Sequence, residues 1–280
     1  MRIERVVVGI DLSPASMDAV RWVATWFAPD AELVLAYVVH IPESIFACLA
    51  PPTDALEAAA RDGARRRLIE VGEVAGARRF RVEVRCGAPA ETLCEIAADF
   101  GADLLVIGAH RERGGFREWL GSTAEHVLGI ARVPVLLAAN ARHRVPRHVL
   151  AAVDGSEVAD DVAAWAGALG RRFDAPHARL TVVSSVSTGT LAAAGPADAH
   201  WTADPASTEG WREGEDETAF GEPSTEILAA ADRHASDVIV VGRCRSSGRA
   251  RRALFGSVAN AVLRGASCPV LVVVEPSLHS

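Results

Sequence analysis

Cysteine is scarce in this sequence and follows no pattern. Five cysteines occur in 280 residues, an odd number without a Cys-x-x-Cys pair. This argues against a disulfide scaffold or a structural zinc site and favours free thiols in a reducing cytoplasm. His110 and His126 have no second histidine or cysteine at the helical spacing of metal ligands, so we expect no metal site.

Long apolar runs and an excess of positive charge are also missing. The apolar stretches are short and broken by polar residues, and no signal-peptide pattern precedes the first strand, so we expect a cytoplasmic protein without a membrane span. The net charge is −7, whereas sequence-independent binding to nucleic acid or to an anionic membrane needs dense positive charge. We therefore expect neither as a partner.

Recognisable catalytic motifs are absent as well. The chain contains no Gly-Lys-Ser or Gly-Lys-Thr step, no Ser-His-Asp order of a hydrolase and no evident pair of catalytic carboxylates. The sequence therefore gives no reason to expect a dedicated enzyme.

The dominant feature that is present is a duplication. Residues 103–123 contain an aliphatic strand pattern, a glycine, a loop and then Gly121-Ser122, and residues 237–258 repeat this order and include Gly256-Ser257. A loop between a buried strand and a helix start points unpaired backbone N–H groups at one spot, where phosphate binds well. The period of roughly 140 residues fits two fused domains. Three further pairs of landmarks match: Asp11 with Asp154, Gly87 with Gly221, and Pro134 with Pro269.

Strand and helix patterns alternate through each half. Near-continuous aliphatic runs at residues 3–10 and 33–39 are typical of strands that are covered on both faces. Between them, Ser13-Pro14 predicts a helix with a capping serine and a proline at its first position. Repeated strand–helix units with right-handed crossovers predict a doubly wound parallel sheet of five strands in each half.

We place the first domain at residues 1–140 and a second, shortened domain at residues 147–276. Residues 187–217 lack apolar periodicity and are rich in Gly, Ala, Pro, Thr, Asp and Glu. We expect an irregular, mobile insert there, in place of a helix and part of a strand.

Together these residues resemble the tandem form of the universal stress protein family. The resemblance rests on a strand-end aspartate followed by a small-residue turn, on the strand Ala-Asp-Leu-Leu-Val-Ile-Gly, on the Gly-Ser helix start and on the strand Val-Pro-Val-Leu, all in order. It implies two flavodoxin-like, adenine nucleotide alpha hydrolase-like sheets, and ATP, with or without Mg²⁺, as the ligand.

ATP-binding members of the family carry the signature Gly-x2-Gly-x9-Gly-Ser/Thr. By resemblance Gly108, Gly121 and Ser122 occupy its first, third and fourth places, but Arg111 replaces the second glycine. Arginine at this place either obstructs the ligand or offers a charged fork that suits phosphate.

The second half departs further from the signature. Arg245 replaces the same glycine, and the step from Gly242 to Gly256 is fourteen residues instead of the thirteen from Gly108 to Gly121. We therefore expect nucleotide binding mainly in the first half. The full set of expected nucleotide-binding positions is Ile10, Asp11, Val38, Ile107, Gly108, Arg111, Gly121, Ser122, Thr123, Asp154, Gly242, Gly256 and Ser257.

Several of these residues also have a purely structural interpretation. Ser122 with Glu125 three residues later fits a capping box, and Asp11 fits a residue that closes the turn before its helix with its own side chain. The arginines within residues 243–252 fit either a solvated loop or a cradle for phosphate or an acidic partner.

The sequence therefore predicts a stress-response protein that senses or binds ATP. Two alternatives stay open, namely a stress adaptor or scaffold that has lost nucleotide binding and a weak ATPase with slow hydrolysis. The resemblance also implies that the last strands, within residues 133–138 and 269–274, pair inside the chain. Whether two chains then form a homodimer is left open.

Overall fold

The chain forms two compact units, residues 2–145 and residues 146–275. The computed structural model describes residues 3–40, 54–108, 121–141, 143–154, 156–183, 215–243 and 256–274.

The first unit is a five-stranded parallel sheet with helices between its strands. The strands run in the order β3-β2-β1-β4-β5, and every neighbouring pair is parallel. Along the chain the elements are β1 (Arg5–Gly9), α1 (Pro14–Trp22), β2 (Glu32–Val39), α2 (Asp54–Val74), β3 (Phe80–Cys86), α3 (Pro89–Asp99), β4 (Leu104–Ile107), α4 (Ser122–Ile130) and β5 (Val135–Leu137).

The second unit repeats this architecture. Its strands run in the order β10-β9-β6-β7-β8, again with parallel neighbours. Its elements are β6 (Val149–Val153), α5 (Ala159–Phe173), β7 (His177–Val183), β8 (Glu215–Phe220), α6 (Pro223–Arg233), β9 (Val238–Arg243), α7 (Ser257–Gly265) and β10 (Val270–Val274). The predicted doubly wound fold, present twice, is confirmed.

The central strands of both units are buried on both faces. Val6, Val7 and Val8 of β1 are fully inaccessible to solvent, and so are Val240 of β9 and Val272 of β10. This explains why these segments read as continuous aliphatic runs instead of alternating patterns. Within the described ranges, no helix is both long enough and apolar enough to cross a bilayer.

The first helix begins as the sequence predicts, but its end was not predicted. The Ser13 hydroxyl accepts a hydrogen bond from the Ser16 N–H at 3.2 Å, and Pro14 is the first helical residue. After Trp22 the helix widens into a π-helical turn at Val23–Phe27. Trp22 and Phe27 are both buried, and the centroids of their rings lie 5.0 Å apart.

An aspartate that precedes β4, and its counterpart before β9, fix the amino edges of the two sheets. Asp103 Oδ2 accepts hydrogen bonds from the N–H groups of Glu4 and Arg5, both at 2.8 Å. In the second unit, Asp237 Oδ2 accepts from the Arg147 N–H at 2.8 Å. The aspartate of the repeated strand motif therefore has a structural role, far from the carboxyl edge where a ligand is expected.

The prediction of an irregular insert at residues 187–217 is wrong for its last three residues. Residues 215–217 belong to β8, which pairs with β7 from Ala178↔Glu215 to Val183↔Phe220. Asp216 forms an ion pair with Arg179 of β7, and Glu217 lies 3.0 Å from Arg233 of α6. Because charged side chains that pair across the strands hold this edge of the sheet, the start of β8 shows no alternation of apolar residues in the sequence. The rest of the insert, residues 187–214, lies outside the described residues.

Candidate functional site

Several predicted site residues of the first unit, among them Ile10, Val38 and Ile107, lie at or next to the carboxyl ends of neighbouring strands. Gly9 at the end of β1 is paired with Ala36 of β2 and with Ile107 of β4. The Ile10 N–H extends this pairing by donating to the Ala36 carbonyl at 2.8 Å. Ile10 and Ile107 are buried, so a ligand at this edge meets their backbone more than their side chains. Val38 is half-buried near the end of β2.

Asp11 closes the turn that leads from β1 into α1. Its Oδ1 accepts a hydrogen bond from the Ser13 N–H at 2.9 Å, which is the structural role that the sequence left open. Burial works to raise the pKa of the Asp11 carboxyl, but the hydrogen bonds from Ser13 and Ser16 outweigh it, and the pKa lies below its ordinary value. Asp11 is therefore ionised at neutral pH. A carboxylate has about four acceptor positions, so closing the turn does not prevent a contact with a ligand.

The second unit builds the same turn from Asp154. Its Oδ1 accepts from the Ser156 N–H at 3.0 Å, and Asp154 is exposed like Asp11. The Asp-x-Ser pattern thus has a local structural cause in both halves.

Two of the motif glycines are needed for packing. A Cβ on Gly108 would lie 2.6 Å from Ser16 Cα and 2.7 Å from the Ser16 nitrogen, at the first turn of α1. A Cβ on Gly242 would lie 2.6 Å from a methyl group of Val158, next to the start of α5. Such distances are closer than real Cβ atoms come, so each glycine lets its strand approach the first helix of its unit. Neither residue needs a ligand to explain it.

The glycines before α4 and α7 are different. Around a Cβ built on Gly121 or Gly256, no atom among the described residues lies within 4 Å. Gly121 has φ −57° and ψ 145°, a conformation that any residue adopts. Described packing and backbone geometry therefore give no reason for glycine at these two positions.

The capping box proposed for Ser122 is not formed by that residue. Gly121 is the capping position of α4, and Ser122 is already the first helical residue. Gly256 and Ser257 stand in the same relation at α7. Because glycine has no side chain to accept a hydrogen bond, the first N–H groups of both helices lack a side-chain cap. Ser122 and Ser257 are exposed, and Thr123 is half-buried.

Arginines take the place of the second motif glycine in both halves. Arg111 and Arg245 both lie outside the described residues. Arg243, the first of the arginines within residues 243–252, ends β9 and is 5% exposed.

A cavity opens at the carboxyl edge of the second unit. Its volume is about 120 Å³. Asp154 and Ser156 line it on one side, Gly242 lies at the end of β9, and Val258 and Ala259 belong to the first turn of α7. The remaining walls are aliphatic, with Val153, Val158, Val162, Val182, Pro223, Ile227 and Val241 among them. Two of the predicted residues, Asp154 and Gly242, thus share one cavity.

A carboxylate caps the helix that contributes Pro223 and Ile227 to this cavity. Glu222, next to the cavity residue Pro223, caps α6 by accepting hydrogen bonds from the Thr225 N–H at 2.7 Å and the Ser224 hydroxyl at 2.6 Å. These bonds lower the pKa of Glu222 to about 2, so it is charged at neutral pH. The matching residue before α3 is Ala88, which makes no side-chain cap.

The sequence analysis did not single out Leu12, the residue that follows Asp11 in the turn. Leu12, between Asp11 and Ser13, has φ +64°, in the left-handed region that a branched side chain rarely adopts. The signal was available, because the matching residue in the second half is Gly155. In the described part of the chain, no three His, Cys, Asp or Glu side chains are grouped in a way that could hold a metal ion.

Comparison with known proteins agrees with the duplication. The model of the universal stress protein family matches residues 2–139 and again residues 146–274. A universal stress protein of Methanocaldococcus jannaschii is 45% identical over 56 residues, which span 20% of this chain and only 32% of that relative.

Solved structures align over almost the whole chain. A universal stress protein from Archaeoglobus fulgidus superimposes with a TM-score of 0.71 at 21% identity, covering 98% of this chain and 99% of its own. One from Pseudomonas aeruginosa gives a TM-score of 0.63 at 17% identity, covering 98% of this chain and 94% of its own. At these identities the likeness shows the fold.

Proposed function

Because this chain belongs to the universal stress protein family, we propose that it is a stress-response protein that binds ATP at the carboxyl edge of its first sheet. The observation that carries the proposal is the start of α4 at Gly121, where the first N–H groups have no side-chain cap. Nothing described around this glycine requires the absence of a side chain. A ligand that approaches the backbone closely supplies the missing reason.

The chemistry of this edge suits a nucleotide. The uncapped N–H groups at the start of α4 form an anion site, which the helix dipole strengthens. Asp11, at the end of the neighbouring strand, offers an ionised carboxylate for the hydroxyl groups of the nucleoside. The chain contains no lysine, so the phosphate charge has to be met by these N–H groups, by arginine or by Mg²⁺ bound to the phosphates.

One difference between the halves favours the first unit for ATP. The loop before Gly121 keeps the thirteen-residue step of the family signature, whereas the loop before Gly256 is one residue longer.

A calorimetric titration with ATP and Mg²⁺ tests the proposal. We expect saturable binding to the wild type and none to Gly121→Val, because the new side chain takes the position of the phosphates. This variant should stay folded, since no described atom lies near the new Cβ and the backbone conformation suits valine. Gly129→Val is the matched control: it makes the same change within α4, also in open space, and should bind like the wild type.

Two other outcomes point to the alternative functions. A folded wild type that binds no nucleotide favours an adaptor or scaffold. Steady release of phosphate during the same titration favours an ATPase.

A further inference from the structure

Leu12 is held in a backbone conformation that costs free energy. Its φ of +64° brings the Cβ close to the following carbonyl oxygen, a clash that glycine avoids. Three other described residues that are not glycine share a positive φ, namely Asn140, Asp174 and Ala235. Leu12 is the one that directly follows a residue of the candidate site, Asp11.

The turn itself does not require leucine. The second unit has Gly155 at the matching position, and its aspartate makes the same hydrogen bond, at 3.0 Å against 2.9 Å in the first unit. Glycine would therefore permit the Asp11 turn without the conformational cost. A strained residue that persists next to a binding edge is evidence for a function of its side chain.

The matching cavity indicates where that side chain lies. In the second unit the residues on both sides of position 155, Asp154 and Ser156, line the cavity. By the repeat, Leu12 corresponds to the position between these two lining residues. It is half-buried, so part of its apolar surface remains open to a ligand.

We propose that the isobutyl group of Leu12 forms one wall of the first-unit site and contacts the nucleoside end of the ligand. This inference rests on the proposed function. The apolar surface of Leu12 offers nothing to phosphate but packs well against a base or the face of a ribose. Because glycine replaces it in the second unit, Leu12 also makes the two halves differ in the ligand that each accepts.

Two substitutions separate the side chain from the backbone. Leu12→Ala removes the wall and keeps a Cβ in the strained conformation, so the affinity for ATP should fall about 5- to 20-fold without a rise in Tm. Leu12→Gly removes the wall and the strain, so the affinity should fall by a similar factor while Tm rises by about 1–3 °C. Val74→Ala, which trims a 75% exposed side chain at the end of α2, is the control and should change neither.

The titrations are run with ATP and with AMP. We expect the same factor of loss for both ligands, because the lost contact is to the part that they share. An affinity of Leu12→Ala within twofold of the wild type overturns the inference, and so does a loss that differs between ATP and AMP. A lower Tm of Leu12→Gly would overturn the strain argument. If the wild type binds neither ligand, the proposed function itself fails.

Discussion

Gly108 lies so close to Ser16 that a Cβ at position 108 would be 2.6 Å from the Ser16 Cα. The end of β4 therefore packs directly on the first turn of α1, the same turn that Asp11 and Ser13 organise. This contact gives the first glycine of the nucleotide signature a structural reason. Gly121 has no such reason, and the two glycines should respond differently to substitution.

Gly108→Ala should destabilise the first unit by about 2 kcal/mol, because the added methyl group forces the strand and the helix apart. Urea unfolding followed by circular dichroism measures the loss. The control is Gly129→Ala, which adds the same methyl group in open space within α4 and should be neutral or slightly stabilising. Equal unfolding midpoints for the two variants would contradict the packing argument.

Asp11→Ala and Asp154→Ala form a matched pair. Each removes the same turn hydrogen bond, so each should cost about 1 kcal/mol of stability. Only Asp11→Ala should also weaken ATP binding, since we assign the nucleotide to the first unit. A loss of affinity confined to Asp154→Ala would move the site to the second unit.

Substitution of Arg111 shows whether the arginine that replaces the second signature glycine helps or hinders ATP binding. If its guanidinium binds phosphate, Arg111→Ala should lower the affinity for ATP by about 1.5 to 3 kcal/mol, roughly ten- to a hundredfold. If the side chain obstructs the site, Arg111→Gly should restore the signature and raise the affinity. Titration of both variants against the wild type distinguishes the two mechanisms by the sign of the change.

The stability of the second unit should fall in mild acid because of His234. Burial, together with the nearby charges of Arg233 and His148, lowers the pKa of His234 to about 4. Glu217 lies 3.8 Å from His234 Nε2, too far for a strong hydrogen bond to reverse this effect. The unfolded chain therefore binds a proton more readily than the folded one. The contribution of His234 to the free energy of unfolding is fully present above about pH 6.5 and is lost as the pH drops towards 4.

His234→Gln should remove that part of the pH dependence. Through this residue, we expect the free energy of unfolding of the wild type to fall by about 1–2 kcal/mol between pH 6.5 and 4. This value is reduced because the ring is partly exposed to solvent. Unfolding at several pH values measures it. The control is His143→Gln, which makes the same change at an exposed position and should leave the slope of the wild type. An unchanged slope in His234→Gln would refute the assignment.

Much of the fold could be predicted from the sequence, because its causes are local and repeated. The Ser13-Pro14 start of α1 and the buried aliphatic strands both follow from residue type and spacing. The start of β8 at Glu215 could not be predicted in this way, since that strand is held by ion pairs with residues distant in sequence. The π-helical turn at Val23–Phe27 likewise has no local signal.

The site was less predictable than the fold. Sequence spacing brought Asp11, Gly108 and Gly121 to one edge, but it could not tell a glycine needed for packing from one left open for a ligand. That distinction depends on the Ser16 backbone, which lies far from Gly108 in sequence. The strained φ of Leu12 had one signal in the sequence, the glycine at the matching position 155. The pairing of the last strands and a homodimer remain predictions.

The number of ATP molecules bound per chain tests the central claim most directly. Calorimetry with ATP and Mg²⁺ should give one site per wild-type chain, which Gly121→Val abolishes and Gly256→Val leaves intact, because both glycines face open space but only the first unit is assigned the nucleotide. Binding that survives in Gly121→Val and disappears in Gly256→Val would contradict the assignment, and a folded wild type that binds no ATP would contradict the account as a whole.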